Sequence, residues 1–128
     1  MNHRQAVTTA FVLAAGMGSR MRPLTDTLPK PLVPLAGRAL IDQVLDRLAA
    51  AGIERAVVNV HYLADRIADH ISVRNEPEIV ISDERDVLRN TGGGVKYALQ
   101  QLGSAPFVIH NSDSVWIEDH SSVLDTLI

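Results

Sequence analysis

The sequence predicts an α/β architecture: a doubly wound, mostly parallel sheet with helices on both faces. Three observations predict it. Short apolar or β-branched runs alternate with segments of helical periodicity. The first run is apolar almost without a break, as a central strand covered on both sides must be. Three glycine-rich or polar stretches lie at or just beyond the carboxyl ends of predicted strands, where open parallel sheets bind their ligands.

Thr8 to Ala15 is the first strand, and Gly16 and Gly18 follow it as a flexible turn. Pro23, Pro29, Pro31 and Pro34 forbid a long helix over residues 21–37 and predict an ordered, extended loop stiff enough to hold Lys30. From Ala39 onward Leu40, Ile41, Val44, Leu45 and Leu48 recur at helical spacing, and Gly52 stands where a C-terminal cap belongs. The pattern then repeats. It gives a strand over Ala56 to His61, a helix with Leu63, Ile67 and Ile71 on one face, and a strand over Glu78 to Ser82. A helix from about Gly93 to Leu102 and a strand over Phe107 to Asn111 complete it. Right-handed crossovers bring the stretches at 16–20, 91–94 and 111–113 to one crevice despite their separation. A further amphipathic helix begins near Ser121 and is still open at Ile128, so the chain reads as the N-terminal part of a single longer domain.

At 128 residues with 46% hydrophobic content, the chain suits one domain with a real core. Its 12 basic and 15 acidic residues give a charge of −3 with no basic stripe, so the expected partners are small molecules rather than nucleic acid. The absence of cysteine excludes disulfides, thiolate nucleophiles and zinc–thiolate sites, and suits a cytoplasmic location. No run reaches the roughly 18 apolar residues of a spanning helix, so no membrane partner is expected. Arg4 and residues 6–15 imitate a secretory leader, but Thr8 and Thr9 interrupt it, and cleavage near Ala15 would remove the strand that supports the glycine turn.

The most informative stretch is Leu13-Ala-Ala-Gly16-Met-Gly18-Ser-Arg20-Met-Arg22-Pro-Leu-Thr25, followed by Pro29-Lys30-Pro31-Leu32. Glycines 16 and 18 let backbone N–H groups approach a polyphosphate, and Arg20 and Lys30 can neutralise anionic oxygens. Two commoner glycine motifs fail on spacing. Met21 stands where the dinucleotide fingerprint needs its third glycine, and the second strand begins too late to supply its acidic residue. No Gly-Lys-Ser/Thr follows, as a phosphate-binding Walker loop requires.

The stretch resembles the signature of the sugar-1-phosphate nucleotidyltransferases, L-A-A-G-x-G-x-R-x-x-P-x-T and then P-K-P-L, and matches it at every fixed position. Thr91-Gly92-Gly93-Gly94 and Asn111-Ser112-Asp113 agree with the same family. The resemblance implies a Rossmann-like nucleotidyltransferase fold, incomplete at its C-terminus. It also implies attack by a sugar-1-phosphate oxygen on the α-phosphorus of a nucleoside triphosphate, giving a nucleotide-sugar and pyrophosphate. By that resemblance Arg20 grips the departing pyrophosphate, while Lys30 contacts the α-phosphate and the incoming sugar phosphate. Leu13, Ala14, Ala15, Gly16, Met17 and Gly18 bind the nucleotide, and Gly92 and Gly93 lie against the base. Asn111 bonds the ribose or orders the metal site, and Asp113 binds Mg²⁺. A single aspartate suffices to begin such a site, because Mg²⁺ takes most of its ligands from phosphate and water. The family's second metal-binding aspartate and most of its sugar-binding half come later in the chain than residue 128, so the isolated piece is expected to be weakly active or inactive.

His3, His61, His70, His110 and His120 lack metal-ligand spacing and read as structural or surface groups. Trp116 and Glu118 read as a border of the sugar pocket or, for the tryptophan, as packing. The run Ile81-Ser82-Asp83-Glu84 leading to residues 91–94, with Trp116 shortly after Asp113, is most similar to N-acetylmuramate-1-phosphate uridylyltransferases of cell-wall recycling. UTP and N-acetylmuramate-1-phosphate are therefore the favoured substrates. A mannose-1-phosphate guanylyltransferase, a non-catalytic sensor of nucleotide-sugars and a nicotinamide-binding module stay open, although a sensor would be expected to lose Arg20, Lys30 and Asp113.

Overall fold

The computed structural model describes residues 7–113. Trp116, Glu118, His3, His120 and the helix expected near Ser121 lie outside the described residues. From the N-terminus come β1 (Thr9–Leu13), a hairpin of β2 (Pro34–Leu35) and β3 (Arg38–Ala39), and α1 (Leu40–Ala50). Next are β4 (Arg55–Val60), α2 (Ala64–Ile71), β5 (Glu78–Asp83), α3 (Thr91–Tyr97), α4 (Leu99–Leu102) and β6 (Phe107–Asn111). Four strands make one sheet in the order β5-β4-β1-β6, and all of its pairings are parallel.

The side chains of β1 explain why its run is apolar throughout. Ala10 and Val12 face a core shared with Ile41, Val44, Leu45 and Leu48 of α1 and Ile67 and Ile71 of α2. Phe11 faces the opposite way, into a second cluster with Val57, Ala98 and Leu102. A strand with helices over both faces has no solvent side to alternate toward. Helix α1 ends where Gly52, at φ 96°, lets the chain turn back. The Gly52 N–H reaches the Ala49 carbonyl at 3.1 Å and the Ile53 N–H reaches that of Leu48 at 3.0 Å. This paired closure satisfies the last carbonyls of the helix, as the glycine predicted.

Three expectations need correction. The proline-rich loop is compact rather than extended: it folds into single 3-10 turns at Ser19–Met21, Leu24–Asp26 and Lys30–Leu32 before the β2–β3 hairpin. Proline breaks long helices but its fixed φ is compatible with isolated turns. Ala36 and Gly37, both at positive φ (54° and 84°), make the hairpin turn. Second, the helix expected over 93–102 is two pieces. It starts at Thr91 and breaks at Ala98, whose N–H is shared between the Gly94 and Val95 carbonyls at 3.1 Å each. Three glycines in one turn weaken helical preference, so the packing of Ala98 and Leu102 against Phe11 decides the axis. Third, Leu63 stands ahead of α2 at φ 50° rather than within it.

The winding of the sheet makes the site. The chain passes from β1 to β4 to β5 along one direction and then returns to the other side of β1 to form β6. Helices α1 and α2 therefore cover one face while α3 and α4 cover the other. The loops that leave β1 and β6 diverge from Leu13 and Asn111, which are paired in register. Phe11, fully buried in the smaller core, reports on that layer. Phe11→Ala is expected to lower the unfolding free energy by about 3–5 kcal/mol, measured by urea denaturation with circular dichroism. A loss under about 1 kcal/mol would mean that this face is not packed as described.

Candidate active site

A cavity of about 490 Å³ opens beyond the carboxyl ends of β1 and β6. Residues 13–21, Lys30, Pro31, Asn59, residues 88–91 and residues 111–113 line it. Leu13, Ala14, Ala15, Gly16, Met17, Gly18, Arg20, Lys30, Asn111 and Asp113 thus stand around one space. Gly92 and Gly93 do not: they are exposed on the first turn of α3, while Leu88, Arg89, Asn90 and Thr91 form that part of the wall.

The loop carrying Lys30 is tied down by hydrogen bonds from far along the chain. Gly18 sits at φ 64°, and a Cβ there would approach Cγ2 of Thr25 to 2.9 Å, so both conformation and space demand glycine. The buried Thr25 hydroxyl donates to the Gly18 carbonyl at 2.6 Å. The Tyr62 hydroxyl donates to the Thr25 carbonyl at 2.6 Å, and the Arg66 guanidinium to that of Thr27 at 2.7 Å. Lys30 Nζ lies 2.6 Å from Asp113 Oδ2, with the two side chains 37% and 30% exposed. Such a pair contributes little to stability, about 0.2–1 kcal/mol, so its consequence is positional. It sets an ammonium and a carboxylate side by side at the cavity, with the exposed Arg20 on the same wall.

Sequence reasoning gave no individual role to Asn59 or to Glu84, which it read only as part of a run; they are 2% and 0% exposed. The Ala14 N–H leaves the sheet ladder and donates to Asn59 Oδ1 at 2.7 Å. Asn59 Nδ2 donates to Glu84 Oε2 at 2.9 Å, and the Arg89 N–H donates to Glu84 Oε1 at 3.1 Å. A signal was present, since an amide inside the run Arg55-Ala-Val-Val-Asn-Val60 must find partners when buried. Beyond Glu84 the loop is pinned by Arg89, whose guanidinium bonds Asp86 at 3.3 Å and stacks 3.8 Å from the Tyr97 ring centroid. That hydrogen bond holds the Asp86 carboxyl below its ordinary range. The described histidines have structural partners: His61 Nδ1 meets the Glu84 carbonyl and His70 Nε2 meets Asp42, each at 2.6 Å, and His110 Nδ1 meets the Asn111 carbonyl.

Among the described residues no group of three or more His, Cys, Asp or Glu side chains gathers to hold a metal. Asp113 offers one hard oxygen donor beside the cavity, which fits Mg²⁺ arriving with phosphate and water ligands of its own. No helix among them is long and apolar enough to cross a membrane.

The family model described as nucleotidyl transferase matches residues 9–127. The N-acetylmuramate alpha-1-phosphate uridylyltransferase of Caulobacter vibrioides is 54% identical over 127 residues, covering 96% of this chain and 52% of the relative. Its counterpart from Neisseria meningitidis serogroup B is 40% identical over 119 residues, covering 91% and 52%. The chain spans about half the length of the curated relatives it matches. A crystal structure of UDP-glucose pyrophosphorylase complexed with UDP-glucose superimposes with a TM-score of 0.79 at 23% identity, over 95% of this chain and 52% of that one, a likeness of fold. The signature, the parallel sheet with its crevice at the winding reversal, and a match over nearly the whole length agree: the chain belongs to the nucleotidyl transferase family.

Proposed function

We propose that the protein carrying this chain transfers a uridylyl group from UTP to N-acetylmuramate-1-phosphate, forming the nucleotide-sugar and pyrophosphate. The observation that carries the reading is the sharing of one cavity by Arg20 and Lys30, from the loop after β1, and Asp113, from far along the chain. The choice of UTP and of the sugar rests on what the relatives at 54% and 40% identity are named for. A nucleoside triphosphate substrate fits a cytoplasmic setting, and an N-acetylmuramate product fits cell-wall recycling.

Both reactants are multiply anionic. Two unit charges at about 4 Å repel by about 1 kcal/mol in water and about 4 kcal/mol at an effective dielectric of 20. The site must therefore supply alignment and positive charge rather than a covalent nucleophile. Lys30 would stand between the α-phosphate and the incoming sugar phosphate, so that the attacking oxygen approaches the α-phosphorus without the full repulsion. Arg20 would meet the pyrophosphate oxygens as their bond to the α-phosphorus breaks and negative charge grows on them. The turn at Gly16–Gly18 would bring backbone N–H groups to the same oxygens, and Asn111 would reach the ribose. Asp113 would hold Mg²⁺, which when bound supplies further charge to the phosphates.

Pyrophosphate release by the complete gene product, across a matrix of nucleoside triphosphates and sugar-1-phosphates, tests the assignment. UTP with N-acetylmuramate-1-phosphate is expected to be fastest. Faster release from GTP with mannose-1-phosphate would transfer the protein to the guanylyltransferases. Lys30→Ala is expected to lower kcat by about 10²- to 10³-fold, the cost of removing a preorganised charge-stabilising group. Asp113→Asn is expected to weaken magnesium-dependent turnover by about 10²-fold with an unchanged circular dichroism spectrum; near-normal turnover would remove it from the metal site.

A further inference from the structure

Glu84 is completely buried, yet the hydrogen bonds its carboxylate oxygens accept come from neutral amides. Burying a carboxylate is costly unless every lone-pair direction is used. The polarity of the relay shows what requires it. The Ala14 N–H can only donate, so the oxygen of Asn59 must face it and the amide nitrogen must donate onward. At the far end the Arg89 N–H can also only donate. The group between these two donors must accept on both sides. A carboxylate does so, and a carboxamide does not.

The two ends of this relay belong to two different segments of the cavity wall. Ala14 and Asn59 belong to the β1–β4 side, and Arg89 belongs to the lining stretch Leu88–Thr91. We infer that Glu84 is a positioning residue for the nucleotide: through Asn59 it holds the Ala14 wall and the Arg89–Thr91 wall at a set separation. This rests on the nucleotidyl-transfer reading. The relay also accounts for Gly94, the one glycine of its run that is buried. A Cβ on Gly94 would lie 3.1 Å from both Asn59 Nδ2 and Glu84 Oε2. Lys30 is held separately, by Asp113 and by the loop anchored through Thr25 and Tyr62. Loosening the relay therefore disturbs nucleotide seating more than the charge that acts on the phosphates.

The test is a polarity swap in the complete gene product. Glu84→Gln leaves an N–H group facing an N–H₂ group and is expected to raise KM for the nucleoside triphosphate about tenfold, equivalent to about 1.4 kcal/mol, with kcat little changed. Adding Asn59→Asp reverses the relay, so that every donor again meets an acceptor, and is expected to return KM toward the wild-type value. Gly94→Ala, which crowds the same pair, is expected to raise KM by a smaller factor and serves if Glu84→Gln fails to fold. A folded Glu84→Gln variant with wild-type KM overturns the inference, as does a raised KM that the swap does not restore, or a fall in kcat alone. If the wild-type protein turns over no nucleoside triphosphate, the proposed function fails and the positioning role falls with it. Amide exchange at Ala14 and Arg89, slow in wild type, fast in Glu84→Gln and slow again in the swap, would then show that the relay itself stands.

Discussion

The site depends on β1 being hydrogen-bonded in parallel to β4 on one side and β6 on the other. Leu13 is in register with both Asn59 and Asn111, so three strands end at one level. Because the chain reaches β6 only after passing outward to β5 and back, the helices divide between the two faces. Among the described residues no crossover then closes the space above β1 and β6. The crevice is a consequence of strand order, and the loops that leave those ends have no choice but to line it.

Two kinds of polar contact divide the work of that crevice. The Ala14–Asn59–Glu84 bonds of the relay are buried, and with the part-buried bond from Arg89 they behave as part of the frame. The Lys30–Asp113 pair is partly exposed, and each partner is the kind of group that phosphate or a divalent cation would engage. Exposed pairs contribute little and exchange easily; buried networks are expensive to break. A rigid frame with an exchangeable ion pair at its mouth suits a site that must bind and release highly charged molecules.

The glycines at this end of the sheet serve different constraints. Gly18 combines a left-handed backbone with contact against Thr25, whereas Gly94 makes room for Asn59 and Glu84 from ordinary helical conformation. Gly92 and Gly93, in the same run as Gly94, face open solvent or the Arg89 stem. A glycine-rich string read along the sequence does not distinguish these cases.

The sequence by itself determined the class of fold, the four sheet strands, helix α1 with its glycine stop, and the signature residues that meet in the cavity. These follow from period, composition and local motif, and each is decided within a few neighbouring residues. Only the tertiary structure decided the rest. The proline loop became three turns and a hairpin because Thr25, Tyr62 and Arg66 hold it, and the last helix broke at Ala98 because its contact with the Phe11 cluster set its axis. Asn59 acquired its role from a donor 45 residues away, Ala14, and an acceptor 25 residues away, Glu84, a dependence that no local pattern encodes.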